Sequence, residues 1–178
     1  QAVFTHPGRG VDGYTEGKMN PSGGYMDMQW FSWTQLYPFI RSANIAIQKL
    51  TDNEGGLEAG LAKRLLGEAY FMRGYFYSQL MRQYGGVVLL TEPLTLDSEA
   101  ENPRSSFEAT VNQIISDIDQ SITMLADAPI DKARASKITA LALKSRVLTH
   151  AASDLYEPSK ASGISTISAY GNKNLIGY

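Results

Sequence analysis

The chain has 178 residues, of which 43% are hydrophobic, so it is long enough to bury a core of its own. Its 16 Lys and Arg residues and 18 Asp and Glu residues give a formal charge of −2, which excludes nonspecific electrostatic binding of nucleic acid. The absence of cysteine excludes a disulfide scaffold, a cysteine-ligated zinc site and a thiol nucleophile.

Residues 1–29 are rich in Gly and Pro, a composition typical of loops, and they contain tyrosines that an ordered loop can bury. We therefore predict an irregular but ordered loop region. Residues 8–13 match the pattern G-x-G-x-x-G, but no strand precedes it and no helix is predicted to follow it directly. A dinucleotide site is not expected there, and no cofactor is predicted.

Apolar residues recur at three- and four-residue spacing through most of the remaining chain, which predicts long helices. Residues 30–155 should form two helical hairpins on a tetratricopeptide-like plan, in an all-α fold with long ordered loops. Residues 156–178 read as a loop that leads into a C-terminal part beyond this chain, which we expect to be a fragment of a longer one. The four helices are predicted near residues 30–52, 57–84, 105–127 and 135–155.

Individual residues predict where these helices begin and end and which side of them is buried. Gly85 and Gly86 should end the second helix with a positive φ, and a short extended apolar run follows them. Ser105 and Glu108 have the spacing of a capping box at the start of the third helix. One face of the fourth helix is apolar, and we predict that it is buried; its residues are Ile138, Leu141, Ser145, Leu148, Ala152 and Leu155.

The sequence contains no recognisable catalytic or metal-binding pattern. His6 and His150 are the only histidines, and neither belongs to a paired zinc motif. Asp117 and Asp119 are two residues apart on a helix, so they face different directions and do not form an acid–base pair; we interpret them as part of a solvated face. The protein is therefore predicted not to be an enzyme, and a helical glycosidase is disfavoured.

Aromatic residues are concentrated around the start of the first helix, where Trp, Tyr and Phe occur together between residues 25 and 37. An indole can cover the apolar face of a sugar ring while neighbouring polar groups bind its hydroxyls. Tyr25, Trp30 and Trp33 are accordingly the candidate glycan-binding residues. Trp33 lies on the apolar stripe of the helix, which favours core packing, whereas Trp30 lies at the junction between loop and helix.

Residues 68–94 resemble the hallmark segment of the SusD/RagB family, in which an aromatic helix runs into an extended stretch ending Thr-Glu-Pro-Leu. Val88 stands where the family often has proline. Three further segments resemble the family in the same order, at residues 40–44, 103–118 and 136–148, although Val111 replaces a frequent aromatic. The matching positions of the hallmark segment are Arg73, Tyr75, Phe76, Tyr77, Leu80, Arg82, Tyr84, Gly85, Gly86 and residues 91–94.

This resemblance implies a part of a larger SusD-like fold and a non-enzymatic protein that captures oligosaccharides. It also implies a lipid anchor in the outer membrane, absent from this cysteine-free chain, and a SusC-like TonB-dependent transporter as partner. Two alternatives stay open: a tetratricopeptide-like protein-interaction module, and a family member that captures peptides. For Arg73 and Arg82, nine residues apart on the aromatic helix, we expect structural roles, either on tyrosine rings or at helix ends and loops; the alternative is a pair of solvated surface charges.

Overall fold

The computed structural model describes residues 31–95, 102–128, 131 and 133–177. Across these residues the backbone forms helices and turns and contains no strand, which confirms the all-α prediction. Each of the four predicted helices is present, with ends within about one turn of those expected. They are α1 (Trp33–Thr51), α2 (Ala59–Tyr84), α3 (Phe107–Met124) and α4 (Lys137–Ala151).

Each long helix packs against the next one in the sequence, α1 on α2, α2 on α3 and α3 on α4. Two glycines allow the backbones of α2 and α3 to approach closely. A Cβ at Gly67 would lie 2.9 Å from side-chain atoms of Met124 and Leu125, and one at Gly74 would lie 3.2 Å from Ile118. No helix in the described parts of the chain has the length and apolarity that a bilayer span requires.

The turn after α2 needs both of its glycines. Gly85 caps the helix at a φ of 73°, as its sequence predicts. A Cβ at Gly85 would lie 2.1 Å from the carbonyl oxygen of Leu175, and one at Gly86 would lie 2.2 Å from that of Ser105. Gly86 also donates its N–H to the Leu175 carbonyl at 2.7 Å, so this turn is the docking point of the C-terminal segment.

The segment after α4 was predicted to be a loop, and this is wrong in part. It contains 3₁₀ turns at Asp154–Tyr156 and Lys173–Leu175 and two single-turn helices, α5 (Pro158–Ala161) and α6 (Ser165–Ser168). Tyr156 stacks on the buried Phe107 with ring centroids 4.6 Å apart. The segment was predicted to be a loop because most of its residues are polar, although a few apolar residues pack it against the core.

The capping prediction for α3 is wrong by one residue. Ser106 is the N-cap, and its hydroxyl accepts the N–H of Ala109 at 3.0 Å. Ser105 instead donates its N–H to the carbonyl of Val87. A capping box does occur at α4, where Ser136 and Thr139 satisfy one another's backbone N–H groups.

The predicted face of α4 is also wrong. Its large apolar residues are 46–61% exposed, and they are Ile138, Leu141, Leu148 and Leu155. The side that packs on the preceding helices carries smaller residues, which permit a close approach; they are Ala140, Leu143, Val147 and Ala151. Apolar residues recur at helical spacing on both sides of α4. The sequence pattern therefore predicts the helix but does not indicate which of its sides is buried.

Candidate functional site

An extended segment after α2, residues 87–92, crosses the helices, and side chains rather than a sheet bind its backbone. The Tyr37 hydroxyl donates to the Val88 carbonyl at 2.7 Å. The Tyr77 hydroxyl donates to the Leu90 carbonyl at 3.0 Å and accepts the Leu90 N–H at 2.7 Å. Asn44 donates to the carbonyls of Leu90 and Glu92. Buried backbone groups need such partners, so α1 and α2 position this segment.

Arg73 lies at the centre of this arrangement. Its guanidinium forms a bidentate pair with Asp117 of α3, at 2.9 and 2.6 Å. It also donates to the side-chain oxygen of Asn44 and to the Thr91 carbonyl, each at 2.9 Å. Its Cζ lies 5.4 Å from the ring centroid of Tyr70. The structural role predicted for Arg73 is confirmed, and it connects α1, α2, α3 and the extended segment.

The prediction that Asp117 belongs to a solvated face is wrong. Asp117 is 1% exposed, because a carboxylate at this position faces α2 and pairs with Arg73. Asp119, two residues on, does lie at the surface, where it pairs with Lys144 at 2.6 Å. The two carboxylates face different directions, as their spacing predicts.

Burial governs the protonation of this centre. It raises the pKa of Asp117, and the Arg73 guanidinium and the Gln113 amide oppose that rise. It also raises the pKa of Tyr77 to about 12, against the opposing effects of the Leu90 hydrogen bond and the Arg73 charge. Every one of these groups is engaged by protein partners, and the arrangement serves to hold the backbone in place.

The aromatic residues at the start of α1 form a second cluster. Trp33 is half-buried, and its ring contacts those of Tyr37 and Tyr84 at centroid distances of 4.9 and 5.5 Å. The Tyr84 hydroxyl accepts the backbone N–H of Trp33 at 3.1 Å. The structure therefore places Trp33 in packing, with part of its ring accessible. Tyr25 and Trp30 lie outside the described residues.

The C-terminal end of α2 shows that the structural role predicted for Arg82 is wrong. Arg104, not Arg82, binds the end of this helix, by donating to the carbonyls of Tyr84 and Gly86. Arg82 is exposed and bonds only Gln79 on its own helix within the described chain. Asn44 is the site residue that sequence reasoning passed over, and an amide on an otherwise apolar stripe was the available signal.

No group of three or more His, Cys, Asp or Glu residues that could hold a metal ion occurs among the residues the structure describes.

Comparison with known proteins identifies the family. Residues 16–148 match a SusD-like family model described as starch-binding and associating with the outer membrane. The chain belongs to the SusD-like family. A SusD-like protein of Formosa agariphila is 32% identical over 120 residues, which cover 67% of this chain.

Solved structures of SusD-like proteins have the same fold. One from Bacteroides fragilis is 32% identical, with a TM-score of 0.58, and the match covers 79% of this chain and 26% of that one. A laminarin-binding SusD-like protein is 24% identical, with a TM-score of 0.66, over 89% of this chain and 32% of that one. The match to the Formosa protein covers 23% of that relative, so the chain spans about a quarter of its length.

Proposed function

We propose that this SusD-like protein binds oligosaccharides at the outer surface of the outer membrane and delivers them to a TonB-dependent transporter. The observation that carries the proposal is the family match, because it covers residues 16–148 and its description names both starch binding and the outer membrane. The fold shared with a laminarin-binding protein is consistent with it. The lipid anchor and the SusC-like transporter are parts of the same proposal.

The aromatic cluster around Trp33 supports a glycan contact near the start of α1. The ring of Trp33 is held by Tyr37 and Tyr84 and remains partly accessible, as a preorganised stacking surface requires. Tyr25 and Trp30 precede it in the sequence and complete the proposed set. Phe31, which follows Trp30 directly, is 37% exposed, so apolar rings do reach the surface at this end of the helix.

The variants Trp30→Ala and Trp33→Ala in the full-length protein test this assignment. Loss of a stacking platform should weaken binding about 5- to 150-fold, corresponding to about 1–3 kcal/mol. We expect Trp30→Ala to lose affinity at an unchanged melting temperature, and Trp33→Ala to lose stability as well. A glycan array first identifies the ligand, and calorimetric titration then measures affinity. Unchanged affinity in both variants would place the site elsewhere in the protein.

Three further measurements test the function itself. The intact protein should bind polysaccharides without releasing reducing ends, and release that tracks with the purified protein would contradict a binding role. A peptide library beside the glycan array tests the alternative ligand class, since binding of peptides alone would replace the glycan proposal. Affinity purification from membranes should recover a TonB-dependent transporter.

A further inference from the structure

A small cleft between α2 and α4 is lined by hydrogen-bond donors. Its volume is about 230 Å³, and Arg82, Arg146, His150 and Gln79 border it above the buried side chains of Met81 and Val147. No residue in its lining is acidic. An arginine pair without a carboxylate is an arrangement that attracts an anion.

Neither arginine of the cleft has an acidic partner among the described residues, whereas other cations on the same two helices do. Lys144 precedes Arg146 on α4 by two residues and pairs with Asp119 at 2.6 Å. Arg64 on α2 pairs with Glu68. Over the described part of the chain, Arg146 forms no side-chain hydrogen bond or ion pair, and Arg82 bonds only the side-chain oxygen of Gln79, at 3.2 Å. Both guanidinium groups are therefore available to a ligand.

Gln79 and His150 extend this donor set. Gln79 is 7% exposed and its oxygen is engaged by Arg82, so its amide nitrogen is left as a donor. The His150 ring nitrogen Nε2 lies 2.7 Å from the Tyr156 hydroxyl, which fixes the ring orientation. Burial lowers the pKa of His150 and the charge of Arg82 lowers it further. A bound anion would oppose the effect of that charge.

We propose that this cleft binds the carboxylate or sulfate group of an acidic saccharide. That the charged group belongs to a saccharide rests on the proposed function. That the cleft binds an oxyanion at all is inferred from the hydrogen-bond donors that line it. The cleft is smaller than the ~300–1,000 Å³ of ordinary ligand pockets, so it accommodates one charged substituent while the sugar ring lies outside. Planar guanidinium groups bind carboxylate and sulfate oxygens in pairs, which gives the contact its geometry.

The experiment compares galactose 6-sulfate, galacturonate, galactose and inorganic sulfate as ligands of the full-length protein. The test variant is Arg82→Gln/Arg146→Gln. The control is Arg41→Gln, because Arg41 is an exposed arginine on α1, outside the cleft. We expect the double variant to weaken binding of both acidic sugars about tenfold or more, with the control unchanged. Raising NaCl from 50 to 500 mM should weaken the same binding in the wild type.

Equal affinity of the wild type and the double variant for the acidic sugars would overturn the proposal. Inorganic sulfate that binds as tightly as galactose 6-sulfate would also overturn it, by reducing the cleft to a site for an adventitious ion only. If the double variant melts at a lower temperature and no acidic sugar binds the wild type, a carboxylate of the polypeptide occupies the cleft instead. If either of these results is found and neutral glycans still bind the protein, the proposed function stands and only the anion site is wrong. The failure of the anion site can therefore be told apart from the failure of the proposed function.

Discussion

Arg73 and Asp117 form a bidentate ion pair in the interior, 44 residues apart in the sequence, and they are only 5% and 1% exposed. Water cannot solvate either charge there, so each depends on the other and on its remaining partners. Arg73 completes its set with Asn44 and the Thr91 carbonyl, and Asp117 accepts a further bond from Gln113. The pair therefore determines how α2 meets both α3 and the extended segment.

Removal of either charge should be strongly destabilising. Arg73→Ala or Asp117→Ala leaves an uncompensated buried charge, which costs about 3–5 kcal/mol. Urea unfolding should show this loss, while the exposed Arg41→Ala should change the free energy of unfolding by less than about 0.5 kcal/mol. The double variant Arg73→Ala/Asp117→Ala should be less damaging than the sum of the two single variants, because neither charge remains. Strict additivity would show that the pair is not coupled.

The Tyr77 hydroxyl should account for much of the order of the extended segment. Tyr77→Phe leaves both backbone groups of Leu90 without this partner, which should cost about 1–3 kcal/mol. Tyr75→Phe is the matched control, because the Tyr75 hydroxyl forms no hydrogen bond within the described residues. Amide exchange should quicken at Leu90 in Tyr77→Phe alone. An equal effect of both variants on unfolding would contradict this role.

Gly85 should tolerate no side chain. Gly85→Ala combines a φ of 73° with a Cβ only 2.1 Å from the Leu175 carbonyl oxygen, so it should cost about 2 kcal/mol or more. Gly163→Ala is the control, since nothing lies within 4 Å of its Cβ position. Limited proteolysis should cleave the segment after α4 faster in Gly85→Ala. Comparable melting temperatures for the two variants would contradict the close approach.

Stability should fall on acidification through His150. Its pKa is lowered in the folded protein, by burial first and by Arg82 second, from about 6.5 in the unfolded chain. Folding therefore favours the neutral ring. The resulting contribution to the free energy of unfolding is fully present above pH 6.5 and is lost as the pH falls through the lower pKa of the folded protein. Arg82 of α2, Arg146 of α4 and the Tyr156 hydroxyl surround the ring.

The measurement is the melting temperature between pH 8 and pH 5 for the wild type and His150→Gln. The variant should lose less stability over this interval, and an oxyanion bound in the cleft should reduce the fall in the wild type. An identical pH profile for the two proteins would show that His150 does not contribute to it.

The sequence by itself determined the four helices and the turn at Gly85, because helical periodicity and a positive φ depend on residues close together in the chain. It also determined the family, because residues 40–148 carry four segments in the same order as SusD-like proteins. Asn44 on an apolar stripe was a visible sign of a buried polar contact, although its partners in the extended segment were not.

Only the tertiary structure decided which side of α4 is buried and where Asp117 points. Ala140 and Val147 face the core because small residues let α4 approach its neighbours, while the larger Leu141 and Leu148 stay exposed. Asp117 is inside because Arg73 comes from another helix to meet it. Such choices depend on residues brought together from distant parts of the chain, and a pattern read along one helix contains no information about its partner.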